Sequence, residues 1–217
     1  ANLPHALLPP SSAFRWSRCT SSIGFIEENR HLLPKEGSVY ADEGSEAHDW
    51  ARRLLTGEAR IIDSTSADML THVRAYVEFV QAAIKPGDKH LVEQRVPLFY
   101  LPAQRGTVDS AIISAGPKLI ISDLKYGAGV SVYARENKQL AIYAESIVQM
   151  QESIEPWPDN ALIPLRIFQP RDRNDSNPIR LWAITRAELR EFVKSIEDAA
   201  KLILSGKREL MKFDADP

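Results

Sequence analysis

Two apolar segments joined by a tight turn constrain the fold of this chain most. Residues 106–114 and 118–125 are rich in Ile, Val and Leu, and Ala-Gly-Pro separates them. This pattern predicts a β-hairpin. Three charged residues interrupt it, Asp109 in the first strand and Asp123 and Lys125 at the end of the second. Burying charges is costly unless they pair or bind a metal ion, so the hairpin predicts a polar site within a sheet.

Strand geometry brings these charges together. Side chains of a strand alternate between its two faces, so Asp123 and Lys125 share a face and the hairpin brings Asp109 beside them. Two carboxylates can hold a divalent metal ion, and an ammonium beside them is a cationic partner for it. Such a site can hydrolyse a phosphodiester. The alternative is a surface salt bridge between two strand ends, because the D-x-K pattern alone is short.

The rest of the chain predicts an α/β (α+β) fold, a central mixed sheet with helices on both faces. Three meandering strands, a crossover helix and further strands give this arrangement. The part before residue 89 is mainly helical. The predicted strands cover 90–99, 107–114, 118–125, 161–168 and 179–184, and the later helices cover 67–84, 134–152 and 186–204.

Composition sets outer bounds on function. The 217 residues carry a formal charge of −2 with a pI of about 6.3, so no overall basic field indicates nucleic acid, although a local groove can still be positive. The single cysteine, Cys19, excludes a disulfide framework and a four-thiolate cluster within this chain. No apolar run reaches the length of a membrane span. We therefore expect a soluble cytoplasmic protein with no membrane partner.

Three further polar positions extend the candidate site. Gln139 and Tyr143 are four residues apart and share one face of the predicted crossover helix, although Tyr143 in the core and Gln139 at the surface is an alternative. His48 lies in an earlier helix, where a surface histidine is the ordinary case. Glu93, in the first strand, is a weaker candidate for binding a second metal ion or supporting the ligands of the first, and the pattern favours a surface charge.

Taken together, four ordered motifs resemble the RecB-like branch of the PD-(D/E)XK nucleases, and most closely a phage-type exonuclease. They are G-x-x-x-H ending at His48, G-x-x-D ending at Asp109, D-x-K at 123–125 and Q-x-x-x-Y at 139–143. The resemblance covers roughly residues 40 to 150. It implies a restriction-endonuclease-like core and a single nuclease domain over 1–217, with a helical part at 1–88, a catalytic core at 89–170 and a C-terminal strand and helix at 171–217.

The resemblance also implies roles. A Mg²⁺ or Mn²⁺ ion would be held by His48, Asp109, Asp123 and the backbone carbonyl of Leu124. Lys125 would orient or help deprotonate the attacking water and stabilise charge on the phosphorus oxygens. The remaining two motif residues, Gln139 and Tyr143, would hold the substrate backbone.

The activity implied is a metal-dependent deoxyribonuclease, an exonuclease on linear double-stranded DNA in phage recombination or repair. A single-strand annealing protein as a partner and an oligomeric assembly are compatible with it. An endonuclease on the same fold and a non-catalytic DNA-binding or assembly subunit are the alternatives.

One departure concerns an iron–sulfur cluster, which many RecB-like nucleases carry. Cys19 occupies the place of the first cluster cysteine, but the later three are absent. No cluster is therefore possible in this chain as given. Either the protein lacks the cluster, or the 217 residues belong to a longer chain.

Two other groups of residues are candidates for contact with DNA. An arginine-rich loop could meet phosphates, or it could be a solvated loop held by its own acidic residues. Near the start of the chain, a Ser-Arg-Trp group could form part of a DNA-end pocket, with packing as the alternative for the Trp. These residues are Arg166, Arg171, Arg173 and Arg180 in the first group, and Ser11, Arg15 and Trp16 in the second.

Overall fold

A five-stranded mixed sheet forms the centre of the protein, in the spatial order β1-β2-β3-β4-β5. The structure, a computed structural model, describes residues 6–32, 39–59 and 66–214. All neighbouring strands are antiparallel except β3 and β4, which are parallel. The strands are β1 (Lys89–Leu98), β2 (Leu101–Ser114), β3 (Lys118–Leu124), β4 (Leu162–Phe168) and β5 (Ile179–Thr185).

Three helices begin at residues whose side chains cap them. The side chains of Ser66, Asn137 and Thr185 each accept a hydrogen bond from a first-turn backbone N–H. Thr185 also forms a capping box with Glu188. The helices are α1 (Ala13–Arg18), α2 (Ser22–Glu28), α3 (Val39–Thr56), α4 (Ala67–Gln81), α5 (Lys138–Glu152) and α6 (Arg186–Leu204). None of the described helices is long and apolar enough to cross a membrane.

Helices cover both faces of the sheet, as the sequence predicts, and the expected fold class is confirmed. On one face, α1, α5 and α6 bury Trp16, Leu140 and Ile196 against strand residues such as Ile121. On the other face, α3 and α4 bury a second cluster around Tyr76. Parallel strands need a long crossover, and α5 supplies it between β3 and β4.

The second strand differs most from its prediction. β2 begins at Leu101, six residues before the predicted start at Thr107, and pairs with β1 over most of its length. Residues 101–106 carry Pro, Gln, Arg and Gly in place of an apolar alternation, so the period-2 signal is missing there. Backbone pairing with β1, which does not depend on side-chain pattern, forms this part of the strand.

Candidate active site

Glu93 lies opposite Asp109 at a local break in the ladder between β1 and β2. Val92 pairs with Ser110 and Gln94 pairs with Val108, which leaves Glu93 and Asp109 facing each other between these pairs. The backbone of Glu93 has a φ of 45°, in the left-handed region that non-glycine residues rarely adopt. Strain of this kind costs about 1–3 kcal/mol and clusters at functional sites.

His48 completes a compact group with these two carboxylates. Its Nδ1 atom lies 3.2 Å from Glu93 Oε1 and 3.4 Å from Asp109 Oδ2. The potential ligand atoms of the three residues all lie within 4.8 Å of one another. His48 lies on α3, the helix that packs with α4 on one face of the sheet. The group can therefore hold a metal ion.

Glu93 has a different place from the one the sequence favours. The expectation of a surface charge is wrong, because its side chain is only 23% exposed and contacts His48. A signal was available, since Glu93 is the one acidic residue in the segment that forms β1. A single strand pattern, however, does not say which residue of another strand it faces.

Buried Asp123 and half-buried Lys125 form an ion pair at the end of β3. Lys125 Nζ lies 2.7 Å from Asp123 Oδ2 and donates a hydrogen bond to Gln139 Oε1 at 2.8 Å. Oδ2 of Asp123 is buried, and its ion pair with Lys125 balances its charge. A carboxylate oxygen in this position is still able to accept a cation.

Leu124 connects the two strands of the site through its backbone. Its N–H donates a 2.8 Å hydrogen bond to Asp109 Oδ2, which fixes that carboxylate against β3. Asp123 does not belong to the 4.8 Å group of His48, Glu93 and Asp109. The ligand set of His48, Asp109, Asp123 and Leu124 therefore stays a prediction.

The ring of Tyr143 packs directly against the backbone of Gly106. A Cβ atom at Gly106 would lie 2.8 Å from Tyr143 Cε1, closer than real Cβ contacts, so only glycine lets the ring pack there. Tyr143 is only 4% exposed, which places it largely in the core. One turn earlier on α5, Gln139 reaches Lys125 instead.

The charges of the site shift one another's proton affinities. Burial alone lowers the pKa of His48, but the nearby carboxylates, Asp109 first among them, outweigh it and raise this pKa to about 9. Burial, and then the charge of Asp123, raise the pKa of Asp109 to about 7 although His48 opposes the shift. Burial lowers the pKa of Lys125, but the charges of Asp123 and Asp109 outweigh it and raise the pKa. The ammonium of Lys125 therefore stays charged.

Three clefts meet around Ser11, next to the site. One of about 770 Å³ contains His48 and Glu93, one of about 380 Å³ contains Gln139 and Tyr143, and one of about 610 Å³ contains Lys125 and Gln139. Ser11 lines all three.

The other members of the Ser-Arg-Trp group differ from Ser11. Trp16 is fully buried and its indole N–H donates to the carbonyl of Pro9 at 3.0 Å, so its role is packing. Arg15 is exposed and is not among the residues that line the three clefts. Cys19 is buried and free.

The arginine-rich loop is mostly held by its own partners. Arg166 is buried and donates to Ser122, and Arg180 is buried and pairs with Asp172. A third arginine, Arg171, pairs with Glu43. Arg173 is exposed and lines a cavity that also contains Lys125. Of the four, Arg173 is thus the one whose surroundings fit contact with a phosphate.

Fold and site together define a mixed α/β protein with buried carboxylates, a histidine and a lysine at the centre of its sheet. The chain belongs to the family described as "Protein of unknown function (DUF2800)", which matches residues 5–214. A crystal structure of a candidate exonuclease from Eubacterium rectale is also similar, at 14% identity. That match covers 90% of this chain and 77% of the other, with a TM-score of 0.49. At this identity and TM-score, the likeness says nothing about the activity of the present chain.

Proposed function

We propose that this chain is a metal-dependent nuclease that hydrolyses phosphodiester bonds of DNA. The observation that carries the proposal is the His48–Glu93–Asp109 group, whose ligand atoms lie within 4.8 Å of one another beside the Lys125–Asp123 ion pair. A cluster of metal-ligating side chains next to a partly buried ammonium suits a reaction in which negative charge grows on phosphate oxygens.

The donor set fits a small divalent cation. Two carboxylates and an imidazole meet in one place, and the buried carboxylate of Asp123, which pairs with Lys125, is a further oxygen donor on the neighbouring strand. Carboxylates suit Mg²⁺ and Mn²⁺, and the imidazole nitrogen of His48 favours Mn²⁺. When bound, the ion would act as a Lewis acid on a phosphoryl oxygen.

The side chains of the chain supply the remaining functions. Lys125 keeps its positive charge because Asp123 and Asp109 raise its pKa, so stabilising charge on the phosphate suits it better than removing a proton. Gln139 accepts a hydrogen bond from Lys125 and orients the ammonium. The backbone N–H of Leu124 holds Asp109 in place.

The surroundings of the site suit a polyanion in spite of the net negative charge of the chain. Arg95 and Arg105 line the cleft that contains Gln139 and Tyr143. Arg18 and Lys138 line the cleft on the other side of Gln139. Local cations on both sides of a catalytic centre can guide a phosphate backbone across it.

The motif resemblance narrows the proposal to an exonuclease that acts on ends of linear double-stranded DNA in phage recombination or repair. A single-strand annealing partner belongs to the same inference. An endonuclease is the alternative that the assay below separates.

The proposal is tested with labelled linear and closed-circular DNA in Mg²⁺ or Mn²⁺. We expect metal-dependent loss of linear DNA and a reduction of about a hundredfold or more in Asp109→Ala and Lys125→Ala. The matched controls are Asp198→Ala and Lys207→Ala, which change the same residue types outside the site. Nicking of the circle would identify an endonuclease. DNA binding without cleavage at any metal concentration would contradict the proposal.

A further inference from the structure

An aromatic and cationic cleft lies beside Lys125. It has a volume of about 610 Å³ and shares Lys125 and Gln139 with the candidate active site. His48 and Glu93 do not line it, because they face a separate cleft. The function proposed above uses the cations of this cleft to guide a phosphate backbone and gives its aromatic side chains no role.

Two exposed aromatic rings line the cleft. Phe14, on α1, is 59% exposed, and Tyr133, in the loop before α5, is 66% exposed. Single exposed aromatic residues are common on protein surfaces. These two, however, come from segments far apart in the chain and line one cleft next to a candidate catalytic lysine. Together, the two exposed rings form a surface on which the flat faces of a ligand can stack.

The side chain of Gln169 forms hydrogen bonds with the backbone of the loop that carries Tyr133. This glutamine is only 1% exposed, and its side chain accepts from the backbone N–H of Val132 at 2.8 Å. Its amide also donates to the carbonyls of Val130 and Gly127. The carbonyl of Tyr133 in turn accepts from the Asn137 side chain at 3.1 Å. The ring is thus presented by an ordered loop, which lowers the entropy cost of binding a ligand.

The charge of the cleft is positive. The cations that line it are Arg18, Lys125, Arg135 and Lys138, and the carboxylate of Glu136 lines it as well. Arg18, Lys125 and Arg135 pair with Asp214, Asp123 and Glu136, and Lys138 adds the further positive charge. Arg18 also lies 5.5 Å from the centre of the Phe14 ring, so a cation and an aromatic face lie together. Aromatic faces interleaved with cations are the composition that binds single-stranded nucleic acid.

We propose that this cleft binds the unpaired nucleotides of a DNA end, with bases stacked on Phe14 and Tyr133 and phosphates directed to the cations. The inference rests on the proposed nuclease function and names the form of its substrate next to the cut. An unpaired strand offers the faces of its bases to the two rings, whereas the bases within a duplex are stacked on one another. Lys125 then lies where the bound strand leaves the cleft toward the carboxylates.

Binding of a fluorescein-labelled oligothymidylate, followed by fluorescence anisotropy in EDTA, tests this without cleavage. We expect at least fivefold weaker binding in Phe14→Leu and in Tyr133→Leu, because each loses a stacking face and keeps an apolar side chain. Leu181→Ala, which removes an equally exposed apolar residue on β5, should bind as the wild type does. Phe14→Trp should retain affinity, and its added indole fluorescence should be quenched by the oligonucleotide.

Affinities within twofold of wild type in both leucine variants would overturn the inference. So would displacement of the oligonucleotide by polyglutamate at equal charge concentration, since that would indicate a cleft for acidic peptides. The proposed function fails separately. Loss of the stacking effect in a protein that still cuts DNA overturns only this inference, and stacking in a protein that never cuts DNA overturns only the nuclease proposal.

Discussion

Glu93 and Asp109 face each other across β1 and β2, and the imidazole of His48 contacts both carboxylates, at 3.2 Å and 3.4 Å. Two like charges opposite each other in a sheet are destabilising unless a cation joins them. In the protein without metal, protonated His48 is that cation. The strained backbone of Glu93, with a φ of 45°, accompanies this arrangement.

Glu93→Gln should weaken Mn²⁺ binding by at least tenfold and lower DNA cleavage in the same direction. The amide keeps the shape of the side chain and removes one anionic ligand. Isothermal titration with Mn²⁺ measures the affinity. Glu78→Gln, an exposed position on α4, is the matched control. Unchanged affinity in Glu93→Gln would return Glu93 to the role of an ordinary surface charge.

Mn²⁺ affinity should rise with pH between about 7 and 9, and binding should release protons. Both His48, with a pKa of about 9, and Asp109, with a pKa of about 7, must be deprotonated to bind a metal ion. Titrations in buffers of different ionisation enthalpy count the released protons. A flat affinity across this range would show that neither group is a ligand.

The stability of the metal-free protein should change with pH in the opposite direction. The pKa of His48 is raised in the folded state from its ordinary 6.5, so its stabilising contribution is fully present below pH 6.5 and is lost as pH rises through about 9. The pKa of Asp109, raised from 3.8 to about 7, adds a loss of the same sign at lower pH. Urea unfolding across pH 6 to 9 measures the trend, and His48→Gln should reduce it.

Gly106→Ala should destabilise the protein by about 1–3 kcal/mol, because the new methyl group overlaps Tyr143 and Leu98 in a packed region. Displacement of Tyr143 should also lower DNA cleavage. Gly24→Ala, on the short helix α2, is the control, since a Cβ there would lie 3.9 Å from its nearest neighbour, the Arg208 guanidinium. Thermal unfolding of both variants gives the comparison; equal melting temperatures would contradict the close contact.

Arg186→Ala should cost about 3–5 kcal/mol, because it removes the cation that pairs with the buried carboxylate of Glu145 and leaves that charge with the neutral amide of Gln149, which donates to it at 2.8 Å. The arginine side chain is 3% exposed and pairs with Glu145 and Glu152, each at 2.7 Å, between α5 and α6. Arg190→Ala breaks the exposed 3.0 Å pair with Asp159 and should cost less than about 1 kcal/mol. Similar urea midpoints for the two variants would show that burial does not set the difference.

Local patterns in the chain predict most of the elements. α6 begins and ends where its caps predict, and Asn137 explains why α5 starts at Lys138 and not at 134. The boundaries that moved, above all the start of β2, lie where backbone pairing and not side-chain pattern forms the strand. Local patterns also do not predict the burial of Arg166 and Arg180, because it depends on their contacts with Ser122 and Asp172 in the folded protein.

By itself, the sequence determined the fold class, the hairpin that carries Asp109 and Asp123, and the helical spacing that aligns Gln139 with Tyr143. These follow from periodicity and capping, which act between residues close in the chain. Only the tertiary structure decided that Glu93 joins His48 and Asp109, that Lys125 reaches Gln139, and that Phe14 and Tyr133 line one cleft. Those relationships depend on strand register and helix packing between distant segments, which no local pattern specifies.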